Sequence, residues 1–253
     1  MTKHREPLRL RQTIQAMKEL IIARGLRPGD PMPTEAELSE LLEVSRGNLR
    51  EAIRTLVTLD ILEVRHGTGT FVGQLSLRPL VEGLTFRSVL LPGDDFEILR
   101  QVVEVRVALD LALARGVVEQ LAGRSEPELS SLCDEMSSAA ERNEGFAAAD
   151  RAFHLSLAGR LGNELYAQLV AAFWDVHTIV APRLGVPSSR DASDTALAHR
   201  VLLDAALSGN LEAYRAAVTE HYRPLLKSLG SARDSHEDGD QRTLTPSLQS
   251  SRS

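Results

Sequence analysis

The stretch Pro33 to Val72 reads PTEAELSELLEVSRGNLREAIRTLVTLDILEVRHGTGTFV. Thr34 and Glu37 have the T-x-x-E spacing of a capping box, in which hydroxyl and carboxylate each satisfy a backbone N–H that the start of a helix leaves free. A short helix is expected from there to about Leu42. Glu43-Val44 leaves room only for a tight turn, Ser45 is a good N-cap, and Leu49, Ala52, Ile53 and Leu56 supply the apolar stripe of the next helix. Two helices so closely joined form a helix-turn-helix. After Asp60 the pattern changes to a β-prone run from Ile61 to Arg65, then His66-Gly67-Thr68-Gly69, then Thr70-Phe71-Val72, which predicts a hairpin, or wing.

Upstream, Leu10, Ile14, Met17 and Ile21 recur at helical spacing until the breakers Gly25, Pro28 and Gly29, so a first helix and a loop precede the quoted stretch. Downstream of Leu77 only long amphipathic segments are found, interrupted at Pro92-Gly93, Ser125 to Pro127, Glu144-Gly145, Gly162-Asn163, Pro182 to Pro187 and Gly209-Asn210. The fold class read from this is mainly α: a winged helix-turn-helix over 1–75, an all-α antiparallel bundle of six or seven helices over 76–230, and a polar, disordered tail over 231–253.

Net charge is -6, an odd value for a nucleic-acid binder until it is divided. Residues 1–75 carry 11 Lys+Arg and 10 Asp+Glu, so the acidity lies in the remainder. No run is long and apolar enough for a membrane span, and the N-terminus lacks a signal-peptide core, so a cytoplasmic protein is expected. A single cysteine, Cys133, excludes an internal disulfide framework.

A recognition helix sets long polar donors of its first turns against base edges. Arg46 and Arg50 are four residues apart on one face, where each guanidinium can grip guanine O6 and N7, and Gly47 removes bulk between them. The motifs Pro33-Thr34-Glu35-Ala36-Glu37-Leu38, Val44-Ser45-Arg46, Leu49-Arg50-Glu51-Ala52-Ile53 and Gly67-Thr68-Gly69-Thr70-Phe71-Val72 resemble the signature of the GntR family of bacterial transcription regulators. The resemblance implies a homodimer on a palindromic double-stranded DNA operator. Arg46 and Arg50 would be the principal contacts, Ser45, Gly47 and Asn48 would lie near phosphate or base edges, and His66 and Gly67 would reach the minor groove. Ala36 stands where many members have a base-contacting arginine, so the operator is expected to differ there.

In the bundle, Asp150 and His154 are i, i+4 neighbours on a stripe with Leu157 and Leu161. His199 heads a stripe with Leu202, Leu203 and Ala206, and His221 continues one with Tyr214, Val218 and Leu225. One buried histidine is usually a satisfied core residue. Four such groups buried without partners would be costly, and a divalent metal removes the cost: zinc first, with nickel, manganese or iron as alternatives.

The D-x-x-x-H pair, Gly162-Asn163 after it, His199 before an apolar run and His221 one helix on resemble the FCD effector domain of FadR-type GntR regulators. That resemblance implies a metal held by Asp150, His154, His199 and His221, with Arg106 and Asn163 assigned to effector binding. Glu104-Val105-Arg106-Val107-Ala108-Leu109-Asp110 resembles the family's E-x-R-x-x-L-E segment, with Asp110 for the usual Glu.

Arg106 shares an apolar stripe with Leu99, Val103 and Leu113, where its partner is either an internal carboxylate (Glu104, Asp110 or Asp150) or the carboxylate of a small effector metabolite. His177 either lines the same cavity or is an ordinary helix histidine. The expected function is a repressor, not an enzyme, in which a carboxylate effector at the metal alters helix packing and with it the spacing of two recognition helices. The alternatives are a metal-dependent hydrolase, for which no H-E-x-x-H motif or evident general base is present, and a DNA-binding protein whose metal is purely structural.

Overall fold

The computed structural model describes residues 5–90, 95–184 and 192–243. It divides into two compact units, one up to Leu80 and one from Val81 onward.

The first unit contains helices α1 (Arg5–Ala23), α2 (Glu35–Leu41) and α3 (Arg46–Thr58), then strands β1 (Leu62–Arg65) and β2 (Gly69–Val72). The expected capping box is complete at α2: Glu37 N–H donates to the Thr34 hydroxyl at 3.3 Å and Thr34 N–H to the Glu37 carboxylate at 2.8 Å. Ser45 caps α3, its hydroxyl oxygen accepting from Asn48 N–H. The turn between these helices closes where Val44 N–H donates to Ser39 carbonyl and Ser39 hydroxyl donates to Val44 carbonyl.

Met17, Leu38, Leu49, Ala52 and Leu56 are fully buried, and Leu62 and Val72 bring the hairpin onto the same core. The strands are antiparallel, with Leu62 opposite Val72 and Arg65 opposite Gly69. Gly67 at the tip has φ +73°, a left-handed conformation that favours glycine. The loop before α2 does more than connect. Met32 N–H donates to Thr70 carbonyl and Val72 N–H to Asp30 carbonyl, which satisfies the outer edge of β2.

The second unit contains, among the described residues, seven helices: α4 (Arg78–Leu90), α5 (Asp95–Leu121), α6 (Pro127–Glu141), α7 (Ala147–Gly159), α8 (Glu164–Val180), α9 (Ala192–Leu207) and α10 (Leu211–Thr243). A 3-10 turn, Ala181–Leu184, follows α8. The expected interruptions separate these helices; Pro92-Gly93 and the end of Pro182 to Pro187 lie outside the described residues. Helix α5 packs against α8, α9 and α10, so side chains on its inner face meet three neighbours.

No proline follows Pro224 before Pro246, and α10 continues to Thr243, beyond the start of the expected tail. Residues 244–253 of that tail lie outside the described residues. No described helix is long and apolar enough to cross a membrane.

Candidate functional site

On the first unit, Arg46, Gly47 and Arg50 are exposed at the start of α3. Arg46 is the first residue of that helix. Arg50 instead holds an ion pair, its Nε donating to Glu35 of α2 at 2.9 Å. Asn48, grouped with the DNA contacts from sequence, turns inward. Its Nδ2 donates to the Thr13 hydroxyl at 2.8 Å, and that hydroxyl donates to the Arg9 carbonyl. Ser45 is occupied as the helix cap. His66 is exposed beside Gly67 at the wing tip, and next to it Arg65 lies 4.2 Å over the Phe71 ring.

In the second unit, α7, α9 and α10 bring His154, His199 and His221 together. One ring nitrogen of each lies within 4.8 Å of the others. Asp150 joins them: its Oδ1 is 2.9 Å from His199 Nε2 and 3.3 Å from His154 Nε2. His154 Nε2 is in turn 3.1 Å from His221 Nε2. His154 and His199 are 6% and 0% exposed, so water does not satisfy these groups.

Protonation decides what the cluster can hold. His199 Nδ1 lies 2.8 Å from the Thr195 carbonyl, which can only accept, so Nδ1 carries an N–H there. Burial holds His154 and His221 below the ordinary imidazole value, which favours their neutral forms. Burial works to raise the Asp150 carboxyl, but the neighbouring His154 and His199 outweigh it and hold it well below the usual carboxylate range. A carboxylate and three imidazoles thus meet at hydrogen-bonding distances in one buried cluster. The three histidines are spaced so that they could hold a metal ion, and three imidazoles with one carboxylate are a donor set that would suit zinc or another first-row divalent ion. His221 Nδ1 is buried without a hydrogen-bond partner.

Arg106 reaches the neighbourhood from α5 and is 4% exposed. None of its candidate internal partners pairs with it. Glu104 pairs with Arg100, Asp110 accepts from the hydroxyls of Tyr166 and Tyr222 at 2.7 Å each, and Asp150 belongs to the cluster. The guanidinium lies 5.2 Å from the Trp174 ring centre and 5.3 Å from that of Tyr222. Those rings also neighbour the cluster, Trp174 at 5.9 Å from His154 and Tyr222 at 4.9 Å from His221. His177 is 6.3 Å from Trp174, and burial together with the Arg106 charge lowers it to about 4.

Asn163 is not brought to this site. It is exposed, and its Oδ1 accepts from Tyr166 N–H as the N-cap of α8, which explains why an asparagine follows the break at Gly162. Trp174, Tyr222 and Tyr166 were not singled out from sequence. Tyr222 adjoins His221, and Trp174 is the chain's one tryptophan, but neither fact locates a partner on another helix.

A winged helix-turn-helix followed by a helical unit with a buried histidine-aspartate centre defines a DNA-binding transcription regulator. The family model for bacterial regulatory proteins of the gntR family matches residues 10–72, and that for the FCD domain matches 101–224. The chain belongs to the GntR family, in the type that carries an FCD domain. It is 45% identical over 105 residues to NedR of Micromonospora viridifaciens, assigned as a transcriptional regulatory protein, a match spanning 42% of this chain and 75% of NedR. The galactonate operon transcriptional repressor of Escherichia coli K12 is 27% identical over 178 residues, 70% of this chain and 78% of that protein. The solved structure of Streptococcus agalactiae GntR superposes with a TM-score of 0.62 at 28% identity, covering 87% of this chain and 99% of that one.

Proposed function

We propose that the protein is a homodimeric repressor whose hold on a palindromic operator is released by a small carboxylate bound in the helical unit. In this reading residues 1–75 bind DNA, and 76–230 carry effector binding and dimerisation. Arg46 and Arg50 read the major groove, with Ser45 and Gly47 close to the backbone and His66 and Gly67 at the minor groove. Asn48 supports the helix from behind through Thr13.

The observation that carries the effector is Arg106. A guanidinium buried between two aromatic rings, with no ion pair among the described residues, is an anion site beside the histidine cluster. Asp150, His154, His199 and His221 would hold the divalent ion. When bound, that ion supplies a Lewis-acidic site for a carboxylate or hydroxyl oxygen of the effector. Arg106 orients the carboxylate, Trp174 and Tyr222 exclude water from it, and His177, neutral at neutral pH, adds a hydrogen-bonding edge without a competing charge. The E. coli relative, by its name, represses an operon for galactonate, itself a hydroxycarboxylate.

Effector contacts in the bundle would shift helix packing and hence the separation of two recognition helices, which a palindrome with fixed half-site spacing does not tolerate. A gel-shift assay of the zinc-loaded protein, on duplexes selected from a random pool, tests this. Operator affinity should fall when the cognate hydroxycarboxylate is added from a panel; unchanged binding across the panel would overturn the reading.

A further inference from the structure

Arg106 and Asp110 are i, i+4 neighbours on α5, the spacing at which an arginine and an aspartate on one helix usually meet. Both also border the same phenol: Tyr222 hydroxyl donates to Asp110 at 2.7 Å while its ring lies 5.3 Å from the Arg106 guanidinium. Yet the two charges do not pair. The Asp110 carboxylate is taken up from α8 and α10, one oxygen accepting from Tyr166 and the other from Tyr222. Tyr166 and Tyr222 are 8% and 3% exposed, so neither hydroxyl is readily served by bulk water instead. Two neutral donors thus satisfy an anion that would otherwise neutralise the nearby cation.

We propose that Tyr166 and Tyr222 are positioning residues that hold Asp110 away from Arg106, and so keep the Arg106 charge available to a carboxylate ligand. This rests on reading Arg106 as the effector's anchor. An internal carboxylate four residues away has a high effective concentration, so an unrestrained Asp110 competes with any dissolved acid. The phenols remove that competitor. They supply no charge of their own, so the site retains a net preference for anions. Tyr166 makes its contribution without bordering the Arg106 guanidinium, which makes it the cleaner position to change.

Trp174 is the chain's one tryptophan and lies against Arg106, so its fluorescence reports on the guanidinium directly. The zinc-loaded full chain is titrated with D-galactonate and with acetate, as wild type, Tyr166→Phe, Tyr166→Phe with Asp110→Asn, and Arg106→Gln. Tyr166→Phe should weaken anion binding by about tenfold, and the added Asp110→Asn should restore it to within about twofold. A lost hydroxyl that acts only through general packing cannot be rescued by neutralising Asp110. Equal binding by wild type and Tyr166→Phe, or a double variant as weak as the single, would overturn the proposal.

The ligand-free spectra separate this from the reading of the site. Tyr166→Phe should shift Trp174 emission as the guanidinium moves toward Asp110, and Asp110→Asn should reverse the shift. An unshifted spectrum overturns the role of the tyrosines whether or not either anion binds. Anion binding that survives Arg106→Gln unchanged overturns the anchor instead, and with it the purpose assigned to the tyrosines.

Discussion

The side-chain amide of Asn48, in the recognition helix, donates to the hydroxyl of Thr13 in the first helix at 2.8 Å, tying together two elements 35 residues apart. The angle of α3 on its scaffold therefore depends on a polar contact as well as on Leu49 and Leu56. Asn48→Ala is expected to destabilise the first unit by about 1 kcal/mol, the net worth of such a bond. In a double-mutant cycle with Thr13→Val, followed by chemical denaturation, the two losses should be less than additive. Base preference in selected duplexes should stay the same, which separates a support from a base contact.

Arg46 is exposed and holds no ion pair among the described residues, whereas Arg50 starts from a pair with Glu35. Arg46→Ala should cost operator binding about 1–3 kcal/mol and relax the preference at one base pair per half-site. Measured by fluorescence anisotropy against matched and mismatched duplexes, the loss should be far smaller on non-operator DNA.

The proposed metal site predicts a linked stability effect. Zinc at about a hundred times its dissociation constant should stabilise the wild type by about 2.7 kcal/mol, and His199→Ala should largely abolish that gain. Thermal melts with zinc and with a chelator, alongside metal content by mass spectrometry, read this directly. A wild type that melts identically under both conditions would remove the metal from the site.

His177 gives a pH dependence with a definite sign. Its folded value is about 4 against an ordinary 6.5, so between those values the unfolded chain takes up a proton that the folded chain refuses. The stability contributed by keeping it neutral is fully present above about 6.5 and is lost as pH falls through about 4. Denaturation series across that range should show a shallower acid loss for His177→Gln than for wild type.

Cys133 is 0% exposed in α6, and burial pushes its thiol up to about 11. The native protein at pH 8 should react with a thiol reagent only at the rate of opening, and immediately once unfolded. Labelling followed by intact mass measures both rates.

The winged unit was legible in the sequence because its boundaries are local. Thr34 with Glu37, Ser45 as a cap and the glycines of the hairpin act within a few residues, and each appears where expected. The helices Asp150, His154, His199 and His221 occupy could be read from periodicity, and so could their inward faces. What could not be read was the partner across the helices. The Asn48 amide finds Thr13, the Asp110 carboxylate finds two tyrosines, and the Arg106 guanidinium finds Trp174 and Tyr222, all through packing that spacing along one chain does not encode. Asn163, carried over with a motif, has a local role that the motif did not suggest, as the cap of α8.

In the proposed reading of Arg50 as a DNA contact, its pair with Glu35 bears on how the protein finds its operator. A guanidinium already neutralised by a carboxylate offers less to an arbitrary phosphate, and the acidic partner itself is repelled by the backbone. Fewer counterions are then displaced in each chance encounter, and the hold on bulk chromosomal DNA is correspondingly lighter. If Arg50 reads bases as proposed, only a site whose bases reward it for leaving Glu35 would recover the difference, and the pair would shorten time lost on wrong sequences while the search proceeds.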